Sequence, residues 1–228
     1  MRASAASRFA ERGVRGAVQR SLFESGPDEV ERIELPDAEL SLWPSFLPAR
    51  RADRVHAELR DRTPWQEESL VMFGREVKAP RLTAWYGDPG RSYVYSGIRH
   101  EPIAWTPLLA ELRDAVAARV GRRFNSVLLN YYRDGRDSVA WHADDERELG
   151  PEPVIASLSV GAPRVFQLKH ATRGDLPRVD LTLGHGSLLL MGGACQRRWR
   201  HRIPKRRAGS VGGRVNLTFR EILGHSGG

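Results

Sequence analysis

Three residues of metal-ligating type stand in two separate stretches of the chain: His142 and Asp144 in SVAWHADDEREL, and His201 in QRRWRHRIPK. Residues two apart in an extended strand point to one face, so an imidazole and a carboxylate at 142 and 144 would lie side by side. A second imidazole completes two nitrogens and one oxygen. Grouped on one face of a metal with other positions open, that set suits a non-haem Fe(II) centre that activates oxygen. A His-x-Asp tripeptide alone is more often ordinary surface, so its weight depends on what accompanies it.

The totals set the frame. A chain of 228 residues can bury one substantial core, and its length does not demand a second domain. With 40% hydrophobic and 28% charged residues it has the composition of a soluble globular protein. No apolar run approaches the roughly 18 residues of a membrane span. Lys plus Arg is 36 against 28 for Asp plus Glu, a formal charge of +8 with a pI near 10.3. Such a balance favours polyanionic partners, nucleic acid above all, through neutralised phosphates and released counterions. The single Cys195 cannot form an internal disulfide, which points to a reducing compartment.

Residues 1–30 read as a basic tail that ends in the turn-prone Ser25-Gly26-Pro27-Asp28. They lack the apolar segment of a secretory signal, and Glu11 and Glu24 count against a transit peptide. In LPARRADRVHAELRD, Ala52, Val55 and Leu59 fall at helical spacing, with Pro48 suited to the first turn. A second helix starts at Thr106-Pro107, carries Leu109, Leu112, Val116 and Val120, and stops at Gly121. From Phe124 onward the pattern changes to short runs of β type: FNSVLLNYYR, VIASLSVG, RVFQLKH, RVDLTL, SLLLM, RWRHRI and RVNLTFREI. Gly, Pro and Asp clusters separate them, as in a β-sandwich or barrel. The expectation is a helical and irregular N-terminal part against a C-terminal β core, a mainly β chain with flanking helices (α+β).

The last run puts Arg214, Asn216, Thr218 and Arg220 on one face and Val215, Leu217 and Phe219 on the other. A polar solvent face over an apolar core face would give this pattern. So would a barrel whose interior holds a small polar ligand. Asn130 and Tyr132 share a face in the same manner, as do Trp199, His201 and Ile203. Three such coincidences favour the inward reading.

Taken together, Asn130-x-Tyr132, His142-x-Asp144, His201 and Arg214-x-Asn216-Leu217-Thr218-Phe219-Arg220 resemble, in order, the motifs of the AlkB family of Fe(II)- and 2-oxoglutarate-dependent dioxygenases. Within that family the chain is most similar to the nucleic-acid demethylases of alkylated-DNA repair. Further matches are Asp145-Glu146-Arg147-Glu148-Leu149, Ile155-Ala156-Ser157-Leu158-Ser159, Gly186-Ser187-Leu188 and Trp199-x-His201-x-Ile203-Pro204-Lys205. The likeness runs from about Leu42 to Leu223 and leaves the tail uncovered.

The resemblance implies a double-stranded β-helix (jelly-roll) core, at about 124–223, within a single domain over 31–228. It implies Fe(II) on His142, Asp144 and His201, and 2-oxoglutarate held by Asn130, Tyr132, Arg214 and Arg220 with Asn216 and Thr218 as supporting neighbours. A planar, permanently charged guanidinium can grip a carboxylate through paired hydrogen bonds, which a Lys cannot do. The implied reaction oxidises 2-oxoglutarate to succinate and CO2 and hydroxylates an N-methyl carbon, which leaves the base as formaldehyde.

A methylated base must leave its stack to reach such a pocket. The family carries its nucleotide-recognition segment at about 65–97. Phe73, in SLVMFGREVKAPR, is the expected wedge between bases, with burial in the core as the competing reading. Tyr93 and Tyr95 would present aromatic faces to the flipped base with Arg81 nearby, or else be two tyrosines of a half-buried strand. Asp145 would accept hydrogen bonds from the base, unless it is simply a solvated carboxylate. The run RRWRHRIPKRR at 197–207 is expected to form a phosphate-binding rim. Cys195 and the remaining histidines receive no role.

The expected function is oxidative demethylation of N-alkylated bases in DNA, of the 1-methyladenine and 3-methylcytosine kind. The alternatives are the same chemistry on RNA or tRNA, or a basic nucleic-acid-binding module without catalysis. The expected partner is single- or double-stranded DNA, with RNA second and no membrane. The chain is expected to act as a monomer in the cytoplasm: with the nucleoid in a bacterium, in the nucleus in a eukaryote.

Overall fold

The short β-type runs after residue 124 fold into two facing antiparallel sheets, and the chain before them supplies helices and further strands. The structure, a computed structural model, describes residues 29–72, 75–90, 93–95 and 98–223, with side chains for all of these except 70–76 and 91–100. In chain order the first half comprises β1 (Glu31–Leu35), β2 (Ala38–Trp43), α1 (Ala49–Arg62), β3 (Ser69–Met72), β4 (Arg75–Lys78), β5 (Leu82–Gly87), β6 (Tyr93–Tyr95), β7 (Ile98–His100) and α2 (Pro107–Val120). The second half comprises β8 (Ser126–Tyr132), β9 (Val139–His142), β10 (Ile155–Gly161), β11 (Arg164–His170), β12 (Val179–Leu183), β13 (Ser187–Gly192), α3 (Cys195–Arg198), β14 (Trp199–Ile203) and β15 (Arg214–Arg220).

The larger sheet has the order β1-β2-β13-β10-β15-β8-β5 and the smaller β12-β11-β14-β9. The strands from β8 to β15 divide evenly between the two, which is the double-stranded β-helix. The N-terminal part is not merely helical and irregular, as its sequence suggested. β2 pairs with β13, and β5 with β8, so both edges of the larger sheet come from the first half of the chain. β1, an edge strand, and β2 are short and carry charged residues, and this hides them from a search for apolar runs.

Both faces of the larger sheet are covered. Val127, Leu129, Leu158, Val215, Leu217 and Phe219 pack against Ala52, Val55 and Leu59 of α1 and Leu109, Leu112 and Val116 of α2. On the inner side Tyr132, Ile155, Leu189 and Met191 meet Phe166, Leu168, Trp199 and Ile203 of the smaller sheet. The helices are bounded as their termini dictate. The Thr106 hydroxyl accepts from the Leu109 N–H at 3.2 Å, and Gly121 closes α2 in the left-handed region at φ 65°. Gly186 turns β12 into β13 at φ 80°, where a Cβ would stand 2.4 Å from the Leu47 carbonyl oxygen, so only glycine fits. Among the described residues, no helix is long and apolar enough to cross a membrane.

Candidate active site

The inner face of the larger sheet is where β15 turns its polar side. Val215, Leu217 and Phe219 face the helices, so Arg214, Asn216, Thr218 and Arg220 face the smaller sheet. They line a cavity of about 150 Å³ together with Arg81, Asn130, Tyr132, His142, Asp144 and His201. The alternation that would suit a solvent face here serves a buried one.

β9 and β14 bring the two imidazoles together. His142 and His201 are direct partners across the ladder, with ring centroids 4.3 Å apart. A ligating atom from each of His142, Asp144 and His201 lies within 4.8 Å of the others. The His142 Nδ1–H donates to the Ala140 carbonyl at 2.9 Å, which leaves Nε2 with its lone pair free. Phe166 stacks on the His201 ring at 5.1 Å. Asp144 is not carried by strand alternation, because β9 ends at His142. Its backbone N–H instead donates to Gln196 Oε1 at 3.0 Å, and its Oδ1 accepts from Arg220 Nη2 at 2.5 Å.

The electrostatics follow from burial and these pairings. Burial pushes the Asp144 carboxyl upward, but Arg220, His201 and His142 outweigh it and hold it below the usual carboxylate range. Burial drives the His201 imidazole down to about 4, only partly opposed by Asp144. A neutral His201 beside an ionised Asp144 matches the protonation states a divalent metal requires of such ligands.

The far end of β15 is built differently. Arg214 is 1% exposed, and burial lowers its guanidinium to about 10 against an opposing influence from Tyr132. Its Nη2 donates to Ser159 Oγ at 2.9 Å, while Nε and Nη1 are buried without a partner. Buried donors of that kind call for an acceptor, and a carboxylate is the group a guanidinium pairs with most strongly. Asn216 and Thr218 brace the wall: Asn216 Nδ2 donates to Ser157 Oγ at 2.8 Å, and Thr218 Oγ1 donates to Asn216 Oδ1 at 3.1 Å. Arg81 Nε donates to Asn130 Oδ1 at 2.8 Å, so the Asn130 amide N–H groups are what remains for a ligand.

The substrate-side expectations fare unevenly. Asp145 lies outside the cavity, paired with Arg200 at 3.2 Å. Glu146, next in sequence, lines the cavity with Oε2 buried and unpartnered, and burial raises its carboxyl. Phe73 lies outside the described residues. Tyr93 and Tyr95 belong to β6, which pairs with β7, and their side chains lie outside what is described. The basic run does not form one face. Arg197 pairs with Glu152 and Arg200 with Asp145, while Arg202 donates to Gln167 and covers the Trp141 ring at 4.5 Å. Lys205, Arg206 and Arg207 are exposed beyond β14.

Two further residues shape the site without having drawn notice in the sequence. Arg164 is 2% exposed and donates to the carbonyls of Asp134, Asp137 and Pro204, joining the loop before β9 to the end of β14. Its guanidinium lies 5.5 Å from the Tyr132 ring centroid and that of Arg214 at 5.2 Å. Gln196 is the other. Neither was singled out by a motif, and only the strand adjacency of the motifs could have pointed to them. Cys195 is buried and its thiol is pushed up to about 12, an unreactive state.

Comparison with known proteins agrees with this architecture. The model of the 2OG-Fe(II) oxygenase superfamily matches residues 39–220. Alpha-ketoglutarate-dependent dioxygenase alkB homolog 3 of Bos taurus is 40% identical over 219 residues, covering 92% of this chain and 76% of that protein. DNA oxidative demethylase ALKBH2 of Mus musculus is 42% identical over 181 residues, covering 75% of each. Among solved structures, that titled "The structure of OsALKBH1" shares the fold, with a TM-score of 0.59 at 16% identity over 85% of this chain and all of that one. A jelly roll with this cavity, a superfamily match over most of its length and relatives at such identity lead to one conclusion: the chain belongs to the AlkB family and is an Fe(II)- and 2-oxoglutarate-dependent dioxygenase of the nucleic-acid demethylase type.

Proposed function

We propose that the chain removes N-methyl groups from nucleobases in DNA, of the 1-methyladenine and 3-methylcytosine kind. His142, Asp144 and His201 hold the Fe(II), and Arg214, Arg220, Asn130 and Tyr132 hold 2-oxoglutarate. The observation that carries the reading is the pairing, in one cavity, of a His/Asp/His cluster with a buried guanidinium that has no anion of its own. A His/Asp/His cluster by itself would suit several metals, and a buried guanidinium by itself would suit many anions. Together they match a metal and a dicarboxylate that must lie side by side.

When bound, Fe(II) with O2 and 2-oxoglutarate supplies the oxidation of the methyl carbon, which leaves as formaldehyde while the co-substrate leaves as succinate and CO2. The protein orients and encloses. The His142 contact to Ala140 fixes its tautomer, and Arg220 keeps Asp144 ionised while aligning one of its oxygens. Arg214 receives a carboxylate of the co-substrate, with Tyr132 and Asn130 adding directional hydrogen bonds. Leu128, Val139, Phe166, Met191 and Ile203 supply the apolar part of the lining.

The segment 65–97 serves as the nucleotide-recognition element, with Phe73 as the wedge and Tyr93 and Tyr95 against the flipped base. Arg81 lines the cavity from that segment. On the base side, Glu146 lines the cavity, and Asp145, which lies outside it, would meet the base only from there. The charge of +8 favours nucleic acid in general, and DNA is preferred because a 42%-identical relative is named a DNA oxidative demethylase. The test is incubation with Fe(II), ascorbate, 2-oxoglutarate and methylated oligonucleotides of DNA and RNA, read by mass spectrometry. Loss of one methylene mass from DNA is the expected result. Loss from RNA alone would replace the substrate, and succinate formation with neither nucleic acid demethylated would sink the reading.

A further inference from the structure

We infer that Gln196 is a positioning residue for the metal triad, its side-chain amide setting Asp144 relative to His201. The inference rests on the metal reading above and adds a residue to it.

The need for such a residue arises from where β9 ends. Its ladder pairing with β14 ends at His142, so the strand orients that imidazole but leaves the backbone of Asp144 outside the sheet. A carboxylate on an unpaired stretch has rotational freedom that the two histidines, held by facing strands, do not share. The Asp144 N–H must also find an acceptor, since the residue is 4% exposed and a buried amide without one is costly. Gln196 Oε1 is that acceptor, at 3.0 Å.

Gln196 is itself fixed. It is 1% exposed, and its Nε2 donates to Met191 Sδ at 3.8 Å. It belongs to α3, which passes directly into β14 and so into His201. One hydrogen bond therefore joins the segments that carry the second and third members of the triad. Arg220 braces the same aspartate from β15 through its carboxylate, so backbone and side chain are held from two directions. Partners that orient metal ligands in this way typically change metal affinity by about 10- to 100-fold when removed. A Gln that only packed α3 against β13 would change stability and leave the metal site as it was.

Metal binding by the full-length, metal-stripped chain separates these roles. Mn(II) affinity is read from the electron paramagnetic resonance of the free ion, and Co(II) geometry from its absorption bands. Melting temperatures of the metal-free proteins report the fold. Gln196→Leu, which loses the acceptor, is expected to weaken Mn(II) binding about 10- to 100-fold and to alter the Co(II) bands. Gln196→Glu keeps an acceptor oxygen at the same reach and is expected to recover most of that loss. Unchanged Mn(II) affinity in Gln196→Leu would overturn the inference. So would equal weakening in both variants in proportion to lowered melting temperatures. Asp144→Ala is the control for the underlying reading: if it still binds Mn(II) as the parent does, the metal assignment fails, whereas its loss of binding beside an unaffected Gln196→Leu removes Gln196 alone.

Discussion

Arg214 and Arg220 close the two ends of β15 and line one cavity, yet their charges are handled in opposite ways. Arg220 is neutralised from within by Asp144, and that pair is largely buried. Arg214 is more deeply buried and, among the described residues, no carboxylate pairs with it; its contacts are the Ser159 hydroxyl and the Tyr132 ring. A buried pair needs both members, whereas a lone buried cation is a standing cost unless an anion arrives. The charge at one end of the strand is thus balanced by a carboxylate of the chain, and the charge at the other, among the described residues, is not.

That contrast can be broken at several points. The largest effect is expected from Asp144→Ala, which should reduce demethylation to background and abolish Mn(II) binding; retained turnover would show that the triad is not the metal site. Arg220→Met leaves Asp144 as an unpaired buried carboxylate, and such losses cost about 3–5 kcal/mol. Denaturant unfolding of the metal-free protein should show a decrease of that order, and Mn(II) should restore more stability to this variant than to the parent. Arg214→Met should do the reverse. Removing an unpaired buried charge leaves the ligand-free protein as stable or more so, while the lost charge-assisted hydrogen bonds, about 1.5–3 kcal/mol, raise the KM for 2-oxoglutarate by tens-fold. Equal destabilisation by the two methionine variants would erase the distinction between the ends of β15.

A smaller effect concerns pH. Burial depresses the folded His201 to about 4, while an unfolded imidazole titrates near 6.5. Between those values the unfolded chain binds more protons, so the metal-free protein should be at full stability above about 6.5 and lose it as pH falls towards 4. Melting temperatures across that range should show a shallower dependence in His201→Phe; an unchanged profile would mean that other groups control it. The smallest effect is on affinity alone. Arg206 and Arg207 are exposed beyond β14, and replacing both by Ala should flatten the salt dependence of DNA binding by about one unit of slope for each arginine that meets a phosphate. Turnover on a short methylated oligonucleotide at low salt should change little.

Much of this arrangement was legible beforehand because it is encoded locally. Short β-type runs separated by Gly, Pro and Asp clusters marked β8, β10, β11, β12, β13, β14 and β15, and the Thr106 cap with Gly121 bounded α2. The metal-type residues stood out by chemistry, and their ordered motifs carried the family. What escaped notice depends on long-range pairing. β1 is a charge-rich edge strand, and β2 is placed between it and β13 by pairing with both, not by its own composition. The basic run at 197–207 reads as one stretch in the sequence, but it is divided between α3, β14 and the segment after it, and Arg197 and Arg200 pair with Glu152 and Asp145 from distant parts of the chain.

Residue types and spacing, then, determined by themselves that the chain would form a β core with two flanking helices and would carry two imidazoles and two guanidiniums on strand faces, with a carboxylate two residues after the first imidazole. Only the tertiary structure decided that those faces turn inward, that Asp144 lies past the end of its strand with its N–H donating to Gln196, and that Glu146 lines the cavity while Asp145 lies outside it, paired with Arg200. The physical reason is that alternation and capping are properties of a few neighbouring residues. Which buried charge finds a partner depends on strands brought together from distant parts of the chain.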